Sequence, residues 1–331
     1  MQLHRLGNTS LNVTRLGLGL AALGRPGYIN LGHAADLAGD YDVAAMEQRC
    51  HAVLDAAWQA GLRYFDAARS YGRAEQFLGS WLRARGLSPA EVGVGSKWGY
   101  TYTAAWQPRA EVHEVKEHSL AVLQRQWAES RTELGHHLRL YQIHSATLES
   151  GVLDNTEVLN ELARIRRQGL AIGLSVSGKN QAATLARVAG IIVDGLPLFD
   201  TVQVTWNLLE PSTTPVLRDL HAAGFGVIVK EALANGRLTA NNQRPADHGL
   251  LAVLQAEADR LGCSRDALVL AAVLAQPWAD VVLSGASTVE QFQSNATALH
   301  VAFDEQAAAA LAPLAETPDV YWGTRSELEW N

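Results

Sequence analysis

The chain has 331 residues, 48% of them hydrophobic, enough apolar side chain for a large core. Its net charge of −7 leaves no basic footprint for nucleic acid, and no run approaches the ~20 apolar residues of a membrane span. Met1-Gln2-Leu3-His4 opens on polar-apolar alternation unlike a signal peptide, so the expected setting is cytoplasmic, with Cys50 and Cys263 as free thiols.

Residues 2–14 alternate around Gly7-Asn8-Thr9, which predicts a β-hairpin. The first apolar run, Leu16-Gly17-Leu18-Gly19-Leu20, is glycine-rich, so backbone at Gly19 is free to approach a ligand closely. Residues 24–42 form a loop long enough to be functional, and it is expected to border the pocket. From residue 43, long helical patterns alternate with short apolar runs. Helices are expected at about 43–60, 73–85, 112–134, 152–168, 180–189, 212–223, 249–261 and 288–298. Strands are expected at about 15–20, 62–66, 91–96, 138–143, 171–175, 200–204, 225–229 and 280–283. This alternation argues for an α/β fold of eight parallel strands joined by crossover helices. Helical stretches at about 265–275 and 304–316 break the pattern and read as additions. No composition shift divides the chain, so residues 1–331 are read as one domain. A doubly wound dinucleotide fold is excluded, because Gly17-x-Gly19 has Ala22 where the third glycine belongs.

Three successive strands end in one polar group each: Asp66, Lys97 and His144. Tyr71 follows Asp66 where a helix should start. In a parallel barrel the strand C-termini surround one mouth, so groups distant in sequence meet there. Reducing a carbonyl takes a hydride on one side and a proton on the other. A tyrosine, with an ordinary pKa near 10, serves as the acid when a positive group lies beside it. Lys97 supplies that charge, Asp66 keeps the ammonium protonated, and His144 offers a donor to the substrate oxygen. Singly, each has a structural reading as a strand-end cap, a packing aromatic, a solvated lysine or a core histidine. At consecutive strand ends they point together to chemistry. His136 and His137 precede a strand and belong to the opposite end, so no metal site is expected.

The stretch Phe65-Asp66-Ala67-Ala68-x-x-Tyr71-Gly72-x-x-Glu75 resembles the aldo-keto reductase signature Phe-Asp-Thr-Ala-x-x-Tyr-Gly-x-x-Glu, with Ala67 in place of the usual Thr. The likeness runs from Leu6-Gly7-Asn8-Thr9-Ser10-Leu11 to the last helices. It implies a (β/α)8 TIM barrel plugged by the N-terminal hairpin, with two additional helices. Asp66, Tyr71, Lys97 and His144 would be its catalytic residues. It further implies a nicotinamide dinucleotide as cofactor and a small carbonyl or alcohol as substrate.

By the same resemblance, Ser175 and Gln203 hold the carboxamide, although Val176 stands where Asn is usual. Leu233, Asn235 and Gly236 line the pyrophosphate. Lys230 occupies the position where many relatives stack an aromatic, and contact with phosphate is expected of it. The loop with Gly285, Ser287, Thr288, Gln291 and Asn295 takes the adenosine end. NADPH-selective relatives carry Lys or Arg at the positions of Gly285 and Gln291, and neither cation is present here. The family default therefore puts NADP(H) only slightly ahead of NAD(H), and the missing cations favour sugar oxidation with NAD as a sub-reading. Trp98 and Trp206 are expected to wall the substrate pocket, with Tyr100, Tyr102, Trp106 and the aromatic tail around residues 321–330. The alternative class is a nucleotide-sensing binding protein on the same barrel. The sequence carries no signal for oligomeric state.

Overall fold

Short runs of β-formers become the strands β1 (Leu16–Gly19), β2 (Tyr64–Asp66), β3 (Gly93–Trp98), β4 (Leu138–Ala146), β5 (Ala171–Val176), β6 (Thr201–Thr205), β7 (Gly226–Lys230) and β8 (Val281–Ser284). In the computed structural model, which describes residues 1–331, they form a closed barrel. Each strand pairs in parallel with the next, and β8 returns to β1 through Ser284 opposite Leu18. The chain is an eight-stranded (β/α)8 barrel.

The period of two along a strand sorts its side chains between the barrel interior and the surrounding helices. Tyr64, Leu140, Ile228 and Val281 form an apolar lower layer, closed from below by Leu6, Leu11 and Val13 of the hairpin Leu3–Arg5/Asn12–Thr14. Two residues further along the same strands stand Asp66, Gln142 and Lys230, and His144 follows on β4. Alternation thus carries the interior from an apolar floor to a polar mouth. Gly95 lies beside this change of layer, where a Cβ would come 2.5 Å from the Tyr64 hydroxyl.

The outer ring comprises α1 (Val43–Gln59), α2 (Ala74–Arg85), α3 (Leu120–Leu134), α4 (Thr156–Arg166), α5 (Gln181–Val188) and α6 (Thr214–Ala222). After β7 come α7 (His248–Leu261) and α8 (Arg265–Leu274), and α9 (Val289–Ala296) follows β8. The expected roles of the first two are exchanged. Every residue of α8 from Ala267 to Leu274 is buried, and α8 packs on β8, so it belongs to the ring. The addition is α7, which packs on α8 and on α10 (Glu305–Leu311). The reason is visible in Ala267-Leu-Val-Leu-Ala-Ala-Val-Leu274: a helix apolar all round is covered on both sides.

Two further differences shape the mouth. Residues 112–119, expected to be helical, instead include strand Glu114–Lys116, which pairs with Tyr100–Tyr102, and α3 starts after its Ser119 cap. The tail forms a third added helix, α11 (Pro318–Ser326), capped by Thr317. No helix is long and apolar enough to cross a membrane.

Candidate active site

Asp66 ends β2 with its carboxylate turned into the barrel. Its Oδ1 accepts a short bond from Lys97 Nζ. Its Oδ2 accepts from Gln203 Nε2 at 3.0 Å, Tyr64 Oη at 3.2 Å and Gln142 Nε2 at 3.3 Å. A buried ion pair is tolerable when hydrogen bonds satisfy its remaining sites, and three further donors to Asp66 do so here. Lys97 also donates to the Ala67 carbonyl at 2.9 Å and to Tyr71 Oη at 3.3 Å. Asp66, Lys97 and Tyr71 thus form one connected line.

Tyr71 reaches that line because the chain reverses just beyond it. Gly72 takes φ +60, and a Cβ there would sit 2.5 Å from the Gly24 carbonyl, which accepts from Arg73 N at 2.7 Å. The ring then lies with its centroid 4.8 Å from Lys97 Nζ. His144, near the end of β4, meets it edge-on with centroids 5.5 Å apart, and its Nδ1 lies 3.4 Å from Ser70 Oγ. Glu75, the last residue of the signature, is structural. It accepts from Ser96 Oγ at 2.5 Å and Ser130 Oγ at 2.7 Å, and pairs with Arg69 at 2.6 Å, tying α2 to β3 and α3.

Burial raises the Tyr71 phenol well above 10, Asp66 raises it further, and the main opposing cation is Arg25, 5.3 Å from the ring centroid. The phenol therefore holds its proton at neutral pH. Burial, with Lys97, Lys230 and Arg25 nearby, pushes His144 well below the ordinary histidine range, so its imidazole is neutral.

A cavity of about 580 Å³ opens over these groups and runs to the loops after β7 and β8. Asp66, Tyr71 and His144 line it, while Lys97 sits fully buried behind them. Gly19, Gln203 and Lys230 line the barrel mouth. Leu233, Asn235 and Gly236 line the middle, and Gly285, Gln291 and Asn295 the far end.

Other expected residues fall outside the cavity. Ser175 is buried, with Oγ accepting from Ser145 N at 2.8 Å. Ser287 and Thr288 lie behind the wall, and the Thr288 hydroxyl caps α9 through Gln291 N at 3.2 Å. Trp98 and Trp206 are corrected outright. Trp98 packs edge-on against His118 in the outer core, and Trp206 packs on Trp278 while donating to Thr214 Oγ1 at 2.9 Å. Each directly follows an inward-facing residue, so strand alternation turns it outward. Tyr102 and Trp106 are absent from the wall as well.

The aromatic wall comes from Tyr28, Tyr100, Trp322 and Trp330. Arg25 organises part of it: its guanidinium lies 5.2 Å from the Tyr28 ring and 4.8 Å from Trp330, and donates to Glu114 at 2.9 Å. Arg325 of α11 forks onto Glu231, with Nη2 at 2.6 Å and Nε at 3.0 Å. Tyr100 and the aromatic tail that holds Trp322 and Trp330 were expected from sequence, whereas Arg25, Tyr28 and Arg325 were not. The long loop and the aromatic tail were visible there, but irregular segments have no period to say which side chains face inward.

Lys230 donates to Thr205 Oγ1 at 2.6 Å and lies 3.9 Å from Glu231 Oε1. Burial lowers its pKa to about 8, against the opposing pull of Glu231. Its partners within the chain are thus Thr205 on the neighbouring strand and Glu231 beside it.

Two buried acceptors on this wall, Gln203 Oε1 and Asn235 Oδ1, have no partner in the protein. A buried unpaired acceptor is costly, and an amide or hydroxyl donor on a ligand would relieve it. The residues present therefore fit a carboxamide- and ribose-bearing cofactor.

The (β/α)8 barrel thus gathers a tyrosine, a lysine, an aspartate and a histidine at the C-terminal ends of its strands. Residues 15–316 match the aldo/keto reductase family, and the chain belongs to that family of oxidoreductases. It is 25% identical to the uncharacterized oxidoreductase YrpG of Bacillus subtilis, covering 97% of this chain and 99% of that one. It is likewise 25% identical to the L-galactose dehydrogenase of Arabidopsis thaliana, covering 90% and 88%. The fold resembles the holo form of an aldo-keto reductase from Bacillus halodurans with a TM-score of 0.74, at 19% identity over 96% and 97% of the two chains.

Proposed function

We propose that the chain interconverts a small carbonyl compound and its alcohol with a nicotinamide dinucleotide, Tyr71 acting as general acid in reduction and general base in oxidation. The observation that carries this reading is the line Asp66–Lys97–Tyr71, with Tyr71 Oη 3.3 Å from Lys97 Nζ and open to the same cavity as His144. When bound, the reduced dinucleotide supplies the hydride. Gln203 and Asn235, with their free acceptors, would hold its carboxamide and its middle portion.

The chain's own part is proton handling at one oxygen. Tyr71 stays protonated while the site is empty of negative charge, and gives up its proton as charge develops on the substrate oxygen. Lys97 then stabilises the phenolate through the bond it already donates, while Asp66 holds Lys97 in place. In the tautomer in which Nδ1 accepts from Ser70 Oγ, neutral His144 carries its proton on Nε2 and offers it to the same oxygen. Tyr28, Tyr100 and Trp330 exclude water around the reacting carbon.

The test is a purified preparation given NADH or NADPH and a panel of aldehydes, ketones and sugars. Stoichiometric oxidation of the dinucleotide with alcohol formed is the expected result. Tight dinucleotide binding without turnover on any member would overturn it in favour of a nucleotide-sensing protein.

A further inference from the structure

The two ends of the cavity differ in charge, and the difference bears on which dinucleotide fits. All the cations on its wall, Arg25, Lys230 and Arg325, stand at the end with Tyr71 and His144. The opposite wall, past Gly236 and under the β8 loop, carries two carboxylates, Asp36 and Asp266, and no lysine or arginine. Asp36 arrives there from the long loop after β1, which is strapped across the β7 loop. Leu31 N donates to the Asn235 carbonyl at 3.1 Å, and Asn235 Nδ2 donates to the Ile29 carbonyl at 2.8 Å.

Asp36 is held in a defined orientation. Ser287 Oγ, fully buried at the start of the β8–α9 segment, reaches Asp36 Oδ2 at 2.7 Å. Gln291 Oε1 accepts from Ser287 N at 2.9 Å, which turns the amide nitrogen of Gln291 away from that contact. Asp36 Oδ1 and Gln291 Nε2 make no hydrogen bond within the chain. The far wall therefore presents one charged acceptor and one amide donor, the pairing a vicinal diol satisfies. A phosphate monoester would bring about two more negative charges against Asp36 and Asp266, with no cation to receive them.

We propose that Asp36, oriented by Ser287, makes the far end of this cavity a ribose-diol site, so that the chain takes NAD(H) in preference to NADP(H). The proposal rests on the oxidoreductase reading above and reverses the slight lean toward NADP(H) drawn from sequence. Sequence displayed the missing cations at Gly285 and Gln291 but not the carboxylate that a distant loop delivers to the same wall.

The experiment is equilibrium titration of the purified protein with NADH and with NADPH by tryptophan quenching, at low and high salt. It is repeated on Asp36→Asn and Asp36→Arg, each checked for native circular dichroism. NADH should bind the native protein roughly tenfold or more tightly than NADPH, the order a charged hydrogen bond supplies. Because like charges are screened by salt, added NaCl should narrow that gap, whereas a cationic phosphate clamp would lose NADPH affinity with salt. Asp36→Asn should cut the ratio severalfold and Asp36→Arg should invert it.

Equal or tighter NADPH binding by the native protein, or a ratio unmoved by both substitutions, would overturn the proposal while leaving the oxidoreductase reading intact. Failure of both nucleotides to bind would remove the two together. Should the variants not fold, the native affinity ratio and the sign of its salt dependence still decide the matter.

Discussion

The end of the cavity with Tyr71 and His144 and the end under the β8 loop are built on opposite plans. At the first, Asp66, Lys97 and His144 stand on barrel strands, and each buried charge has a partner: Lys97 with Asp66, Arg325 with Glu231, Arg25 with Glu114. At the second, Asp36 and Gln291 come from a loop and a short helix, and each keeps a polar atom without a partner in the chain. Groups that move a proton gain from strand-end rigidity, since small displacements cost rate. Groups that select a ligand keep their bonding capacity in reserve, and loops supply them without disturbing the barrel.

Breaking the paired end should have the largest effect. Lys97→Met leaves the Asp66 carboxylate buried without its ammonium, and loss of one partner of a buried pair costs about 3–5 kcal/mol. Denaturant unfolding should show that loss along with near-complete loss of turnover. Unchanged stability would mean that Asp66 is not held as described.

Lys230 is the least well paired cation of that end, and pH exposes it. Between about pH 8 and the ordinary 10.5, the folded chain has released a proton that the unfolded chain still holds. Stability therefore climbs with pH across that window through this group. The native-minus-Lys230→Met difference in unfolding free energy should rise by about 2 kcal/mol from pH 7 to 10, and a flat difference would contradict the burial of its charge.

Smaller effects sharpen the map of the wall. Trp330→Ala should raise KM for a bulky aldehyde by roughly tenfold with kcat nearly kept, the signature of lost uniform binding. Trp98→Phe should leave KM unmoved and cost about 1–2 kcal/mol of stability, as a core substitution does. The reverse pattern would restore Trp98 to the pocket.

How far the sequence carried this picture follows the same division. Strand ends were legible because a lone Asp, Lys or His closing an apolar run has one geometric meaning in a parallel barrel. Parity along the strand also separates Trp98 from Lys97, yet adjacency to a catalytic residue drew Trp98 into the expected pocket. Of the two helices between β7 and β8, α8 is the one apolar on all faces, and that composition marks it as part of the ring. Residues 112–116, Val-His-Glu-Val-Lys, space their two valines three apart as a helix would, and only the pairing of Glu114–Lys116 with Tyr100–Tyr102 makes the stretch a strand. Arg25, Asp36, Arg325 and Trp330 come from the loop after β1 and from the C-terminal tail, far apart in sequence, so only the folded chain shows that they converge on one cavity.

Single-turnover hydride transfer in Tyr71→Phe tests most directly whether Tyr71 is the proton donor. With dinucleotide affinity measured in the same sample, the rate should fall by roughly a hundred- to ten-thousandfold while affinity changes less than about twofold. A rate within a few-fold of the native protein would contradict the assignment of the proton to Tyr71.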